Sequence, residues 1–137
     1  MPASVTAEYG QSFLLGEEHI AKIDEFIRKR YDGIPNFKLE YQVYRLDHAL
    51  ITYGTPAEVT AEQNNIAEGI ESLRVFGRTV EEDDREWLDI RFSKKKGVSI
   101  IVNSQERDRA LLLAADLKSY ITSEVMNSNM TKIIRTH

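Results

Sequence analysis

The sequence predicts an α+β fold, a single domain in which helices pack on one five-stranded antiparallel sheet. One observation is the stretch Gly97 to Val125, which has the pattern of a strand that runs directly into a long amphipathic helix. The other is a series of short alternating segments joined by brief polar turns, which is typical of antiparallel strands. The expected order is helix, strand, strand, a less regular helix, three strands and helix. We expect the domain to span residues 17–125, with 1–16 as an arm that is free to be flexible and 126–137 as a polar tail.

The last strand and helix are predicted to form the centre of the fold. Val98 to Val102 is a β-branched run behind Gly97, typical of a strand that is buried on both faces and therefore central in its sheet. Asn103 and Glu106 have the spacing of a capping box, so the helix is expected to begin there. Apolar residues then recur every three or four positions: Ala110, Leu113, Ala114, Leu117, Tyr120, Ile121 and Val125. This long helix should lie on the sheet, because each buried leucine or isoleucine contributes roughly 1.5 to 3 kcal/mol.

The earlier elements are predicted from periodicity and capping signals. A first helix is expected from Glu17 to Tyr31, since acidic residues at its start and basic residues at its end suit the helix dipole. Alternating apolar residues predict a hairpin formed by Phe37 to Leu46 and Ala49 to Tyr53. The sequence Thr55 to Glu58 combines a capping hydroxyl with a proline at the first helical position. A second helix should start there and end at Gly69.

Two further strands are predicted by the same alternation, Leu73 to Val80 and Trp87 to Ser93. Their shared apolar face consists of Leu73, Val75, Leu88, Ile90 and Phe92. The preferred register places Arg78 opposite Asp89, with Phe76 opposite Arg91 and Val80 opposite Trp87. The adjacent register would set Arg74 against Arg91, which are like charges, and is therefore disfavoured.

The order of these elements is similar to that of roadblock-type and longin-type domains, which act as dimeric scaffolds and regulators of small GTPases. The resemblance covers most of the chain and lies in the order of elements alone. It implies a protein that works by binding other proteins, and it assigns no site residue here.

Composition and charge narrow the function classes. The chain has 137 residues, a net charge of −4 and no cysteine. The negative charge does not favour nonspecific attraction to nucleic acid or to anionic membranes. Without cysteine there are no disulfides, thiolate nucleophiles or cysteine-based metal sites. Because neither a signal peptide nor an apolar run of ~18 residues is present, we expect a soluble, cytoplasmic protein without a membrane partner.

The second face of the predicted sheet is the best candidate for a binding surface. It combines arginines with large apolar side chains: Arg74, Phe76, Arg78, Trp87, Arg91 and Ile101. Three interpretations compete. The apolar residues can lie beneath the 56–69 helix or in a homodimer interface, the face can bind another protein, or its guanidinium groups and rings can bind single-stranded nucleic acid. We expect burial or self-association first, a protein partner second and nucleic acid last.

Other polar groups give weaker signals. Lys94 to Lys96 form a basic turn, for which a solvated turn is expected before contact with phosphate or lipid. Glu81 to Asp84 are acidic but lack the spacing of a calcium loop. The histidines, His19, His48 and His137, are scattered, and His48, which follows Asp47, is the one considered for acid–base chemistry. We therefore expect no cofactor, no metal and no catalytic residue.

These observations favour a non-catalytic binding or regulatory module that acts through protein–protein interaction and self-associates, most simply as a dimer. One alternative is a small enzyme or ligand-binding protein with a pocket between sheet and helices, where Tyr41, Tyr44, Tyr53 or His48 would supply polar contacts. The other alternative is a single-strand nucleic-acid binder that uses the arginine-rich face.

Overall fold

In the described part of the chain, nine helices and strands follow one another and form one antiparallel sheet with three helices. A computed structural model describes residues 2–10, 13–45, 49–66, 70–80 and 86–126. The strands are β1 (Ala3–Tyr9), β2 (Phe37–Arg45), β3 (Leu50–Tyr53), β4 (Ile70–Thr79), β5 (Trp87–Ser93) and β6 (Gly97–Ser104). The helices are α1 (Glu17–Arg30), α2 (Pro56–Ile66) and α3 (Arg107–Tyr120), and α3 continues into a π-helical turn, Ile121–Met126. Within the described ranges, no helix is long and apolar enough to cross a membrane.

The sheet has the strand order β1-β6-β5-β4-β2-β3. The predicted α+β class with one antiparallel sheet is confirmed, but the predicted number of five strands is wrong. The sixth strand is β1, which comes from the segment that was expected to be an arm. It pairs with β6 from Ala3 opposite Ser104 to Tyr9 opposite Val98. Strand β6 is therefore interior, as expected, but it is second from the edge, and β5 and β4 occupy the middle.

The core lies between one face of the sheet and the helices. Strand β6 contributes Val98, Ile100 and Val102 to this core, and all three are buried. Helix α3 packs on β6 and β1 and buries Leu113 and Leu117, which confirms the expected position of the C-terminal helix on the sheet. Helix α1 packs beside α3 and buries its three isoleucines, Ile20, Ile23 and Ile27.

The start of α3 differs from the predicted capping box. Strand β6 extends through Asn103, which pairs with both Trp87 and Ser4, so Asn103 is not at a helix terminus. The helix begins three residues later than expected, and Glu106, its N-cap residue, makes no side-chain capping hydrogen bond. Pairing on both sides keeps the strand extended, because it satisfies backbone groups that would otherwise need other partners.

Glu86, the residue before β5, binds the connection between β6 and α3 instead. Its carboxylate accepts hydrogen bonds from Ser104 Oγ at 3.0 Å and from the backbone N–H of Gln105 at 2.9 Å. It also accepts one from Arg109 Nη1 at 3.2 Å. The side chain of Glu86 thus connects the start of α3 to the neighbouring strand.

Helix α2 begins at Pro56 as predicted. Thr55 Oγ1 accepts a hydrogen bond from the N–H of Glu58 at 3.3 Å and donates one to Glu58 Oε1 at 3.0 Å. Val59 is buried in the core, and α2 contacts α1, β2 and β3. The helix therefore lies on the same side of the sheet as α1, and the interpretation that it covers Phe76, Trp87 and Ile101 is wrong. The predicted hairpin turn at Asp47 and His48 and the predicted helix end at Gly69 lie outside the described residues.

Candidate functional site

The face of the sheet opposite the helices, called the outer face below, carries the candidate site. Alternation along β4 and β5 directs five apolar side chains into the core, as expected: Leu73, Val75, Leu88, Ile90 and Phe92. The intervening side chains point the other way. Among the described helices, all three pack on the core side, so this face is not covered by them.

The six residues singled out from the sequence meet on the outer face. Together with Asp89 they line one shallow depression: Arg74, Phe76, Arg78, Trp87, Arg91 and Ile101. Its three large apolar side chains are half-buried, whereas Arg78 and Arg91 are exposed. The depression therefore has an apolar floor and a basic rim. That these residues bind a partner stays a prediction.

The register between β4 and β5 is the one that the sequence analysis disfavoured. Arg78 pairs with Trp87, Phe76 with Asp89, and Arg74 with Arg91. The predicted pairing of Arg78 with Asp89 is therefore wrong. Two like charges stand opposite each other because Asp89, two residues before Arg91 on the same face, accepts hydrogen bonds from both arginines.

Asp89 binds the two guanidinium groups at short distances. Arg74 donates from Nη2 to Oδ2 at 2.8 Å and from Nε to Oδ1 at 3.0 Å. Arg91 donates from Nη2 to Oδ2 at 3.1 Å. The side chain of Asp89 is only 7% exposed. Burial by itself would raise the pKa of Asp89, but the hydrogen bonds and positive charges of Arg74 and Arg91 outweigh burial and hold this pKa below its ordinary value.

The two arginines differ in their contacts and in their exposure to solvent. The guanidinium carbon of Arg74 lies 4.4 Å from the centre of the Phe76 ring, and its Nη1 donates to Gln42 Oε1 at 3.4 Å. Arg74 is thus held by an ion pair, a ring and an amide. The side chain of Arg91 is 59% exposed and contacts Asp89 from the solvent side. Arg91 and Arg78 are therefore the arginines that an incoming partner would meet first.

Most of the residues proposed to line the alternative pocket between sheet and helices are not placed there by the structure. Tyr41 is fully buried and its hydroxyl donates a hydrogen bond to Asp24 of α1. Burial and this hydrogen bond raise the pKa of Tyr41. Tyr44 projects from the outer face instead, next to Leu50 of the neighbouring strand. These two tyrosines do not converge, and His48 lies outside the described residues.

The remaining polar candidates form no metal-binding cluster within the described ranges. His19 is buried, and its Nδ1 accepts a hydrogen bond from the N–H of Gly16 at 2.7 Å at the start of α1. No three acidic or histidine side chains in the described part of the chain are arranged to hold a metal ion. The acidic stretch 81–84 and His137 fall outside it. Lys94, Lys95 and Lys96 are exposed in the turn between β5 and β6.

Asp89 is the site residue that the sequence analysis did not select. The signal was available, since Asp89 alternates with Trp87 and Arg91 on the face that also carries Arg74. An acidic residue between basic positions on one sheet face indicates an ion-pair cluster, whichever register the strands adopt.

Comparison with models of protein families, with curated proteins and with solved structures gave no match for this chain. The likeness to roadblock-type and longin-type domains therefore stays a likeness in the order of elements, and the function has to be inferred from the geometry of the outer face.

Proposed function

We propose that the protein is a non-catalytic binding module that acts through protein–protein interaction, and that its outer face binds a partner protein. The observation that carries this proposal is the depression with half-buried Phe76, Trp87 and Ile101 on its floor and arginines around them. Tryptophan and arginine are enriched among the residues that dominate binding energy in protein interfaces. A sheet face that carries both residue types is better suited to contact with a partner protein than to exposure to water.

Charge favours an acidic partner. Arg74, Arg78 and Arg91 contribute three positive charges to the depression, and Asp89 contributes one negative charge. This local excess of positive charge contrasts with the net charge of the whole chain, which is −4. A partner that offers carboxylates around an apolar side chain would complement both the rim and the floor.

The same charge argues against a second copy on this face. Two copies that packed face to face around a two-fold axis would bring both sets of arginines together, and like charges in an interface cost several kcal/mol. A different protein with an acidic surface is therefore the proposed occupant. Self-association through the outer face becomes an outcome that the experiment has to detect.

The experiment compares capture of proteins from the source cells by three forms of the chain. The wild type and Arg107→Glu, an exposed charge reversal on helix α3, should retain the same acidic protein. The Arg78→Glu variant, which makes the same change at the rim of the depression, should lose it. The retained protein is then purified and titrated while the fluorescence of Trp87, the single tryptophan, is followed. Affinity that falls steeply with salt is expected.

Two results would contradict the proposal. Capture that survives both Arg78→Glu and Trp87→Ala would show that binding occurs elsewhere. A dimer in sedimentation velocity at micromolar concentration that Trp87→Ala converts to a monomer would show that the occupant is a second copy.

A further inference from the structure

A second concavity lies beside the depression on the outer face, at the end where β5 turns into β6. It has a volume of about 360 Å³, within the size range of small-molecule sites. Its walls come from β2, β3, β4, β5 and the following turn. It shares Arg74 and Arg91 with the depression and extends away from Trp87, toward the lysines of the turn. This concavity is called the basic cleft below.

The electrostatics of the basic cleft are one-sided. Four cationic side chains line it, Arg74, Arg91, Lys95 and Lys96, and none of the described residues in its lining is a carboxylate. Asp89 neutralises part of this charge from beneath the two arginines, which still leaves a clear excess of positive charge. A concave surface lined by one sign of charge focuses the field on its interior.

The opposite wall of the cleft carries two large, mainly apolar side chains. Tyr44 and Leu50 stand next to each other on β2 and β3, and the side chain of Leu50 is among the most exposed large apolar groups. Ser93, Ser72, Tyr44 and Leu50 follow one another across four adjacent strands. Because neighbouring strands lie about 4.8 Å apart, the distance from the cationic end to the apolar end is about 14 Å.

We propose that the basic cleft binds a small organic phosphate of about nucleotide size. The phosphate would lie between Arg91 and the lysines, and a planar or apolar group would lie on Tyr44 and Leu50. Arginine binds phosphate through two parallel N–H donors, and lysine adds a compact charge. Asp89 engages Nε and Nη2 of Arg91, so the Nη1 edge of this guanidinium is outside the ion pair. The proposal does not depend on the protein partner of the depression.

The experiment is isothermal titration calorimetry at low salt with three probes: adenosine monophosphate, pyrophosphate and adenosine. Adenosine monophosphate should bind with a Kd below about 1 mM, and adenosine about tenfold more weakly or worse. Pyrophosphate should compete for the same site. Arg91→Gln and Lys96→Gln should each weaken the binding of adenosine monophosphate about tenfold, whereas Arg107→Gln, on the opposite side of the molecule, should leave it unchanged.

Three results would overturn the proposal. The first is that neither phosphate probe shows saturable binding, and the second is that Arg91→Gln and Lys96→Gln leave the binding intact. The third is that the mononucleotide does not bind, whereas single-stranded oligonucleotides bind more tightly as their length grows. Thermal melting of each variant checks that it is folded. Trp87→Ala should keep nucleotide binding and Lys96→Gln should keep the protein partner, which separates the two sites.

A further experiment with lipid vesicles distinguishes a free phosphate metabolite from a lipid headgroup as the ligand. Vesicles that contain a phosphatidylinositol phosphate should leave the protein in solution if the ligand is a free metabolite. Sedimentation with these vesicles that is lost in Lys96→Gln would identify a lipid headgroup as the source, and the cleft would still be the phosphate site.

Discussion

Asp89 allows two arginines, Arg74 and Arg91, to lie opposite each other on the outer face. Its carboxylate accepts hydrogen bonds from Arg74 and Arg91, which face each other across β4 and β5. Without this carboxylate, two guanidinium groups would repel each other on a partly buried surface. Asp89 therefore makes the observed register of the two central strands compatible with the two arginines that face each other.

The Asp89→Asn variant tests this dependence. An amide keeps the shape of the carboxylate but removes the charge between the two arginines, so we expect the free energy of unfolding to fall by about 2 kcal/mol. Urea denaturation measures the change. Arg78→Gln, an exposed arginine on the same face, should change stability by less than about 0.5 kcal/mol. Equal effects of the two substitutions on stability would mean that the charge of Asp89 between the two arginines does not stabilise the fold.

Stability should also depend on pH through Asp89. The pKa of this carboxyl is lower in the folded protein than in the unfolded chain, so on acidification the unfolded chain takes up the proton first. The contribution is fully present above the ordinary aspartate pKa of about 4 and is lost as pH falls below it. Urea denaturation between pH 3 and pH 7 should therefore show a steeper loss for the wild type than for Asp89→Asn. Parallel curves would contradict this expectation.

For single residues, the sequence predicted which face of the sheet each side chain of β4 and β5 lies on, but not which residues that side chain contacts. Strict alternation along β4 and β5 assigned five of the six candidate residues to one side, and the sixth, Ile101, lies on β6. The register was wrong because the rule applied to it considers only residues that are directly opposite. Asp89 stands opposite Phe76 and reaches Arg74 diagonally, so the favourable contact lay outside that rule.

Among the elements, α3 depends on a neighbour for its start. The sequence suggested a self-contained capping box, yet Glu106 makes no side-chain cap, and Glu86, just before β5, accepts the hydrogen bond from the N–H of Gln105. No local pattern could show this, because Glu86 and Gln105 are far apart in the chain. Caps formed within a segment, such as Thr55 with Glu58 in α2, were visible from the sequence.

The two glutamates give a matched test at the start of α3. Glu86→Gln should destabilise the protein by about 1 to 2 kcal/mol, because a neutral amide weakens the hydrogen bonds to Gln105 and Arg109. Glu106→Gln should be nearly silent. Urea denaturation with far-UV circular dichroism compares both variants. A larger loss for Glu106→Gln would restore the capping box suggested by the sequence.

The apolar face of α3 offers a second matched pair. Leu113 is fully buried, whereas its neighbour Leu112 is 49% exposed. Leu113→Ala should cost about 2 to 5 kcal/mol, because it leaves a cavity under the helix, and Leu112→Ala should cost far less. Thermal and urea unfolding give both values. A cost below about 1 kcal/mol at Leu113 would place the core elsewhere.

At the scale of the whole molecule, β1 forms one edge of the sheet. Its inward side chains, Ala3, Val5, Ala7 and Tyr9, are partly buried against the core. Alternation with Ser4, Thr6 and Glu8 was present in the sequence, but two of the four apolar positions are alanines, which give a weak signal. The long helix and the isoleucine-rich strand gave strong patterns and were predicted, whereas this short strand with small side chains was not.

Gly97 controls how closely β1 approaches β6. Its φ of +89° is in the region that favours glycine, and a Cβ at this position would lie 2.1 Å from the carbonyl oxygen of Tyr9. Gly97→Ala should therefore destabilise the protein by about 2 to 4 kcal/mol and release the end of β1. Hydrogen exchange of the β1 amides and urea denaturation measure both effects. Gly10→Ala, where a Cβ meets nothing within 4 Å, is the control.

The pairing of β1 with β6 joins the two most distant strands of the chain in sequence. A ribosome that adds about 5 to 20 residues per second makes β6 roughly 5 to 20 seconds after β1. Throughout that interval β1 lacks β6, the strand with which it pairs in the folded protein. Newly made chains are consequently most exposed to mispairing with one another, or to capture by chaperones, through Ala3–Tyr9.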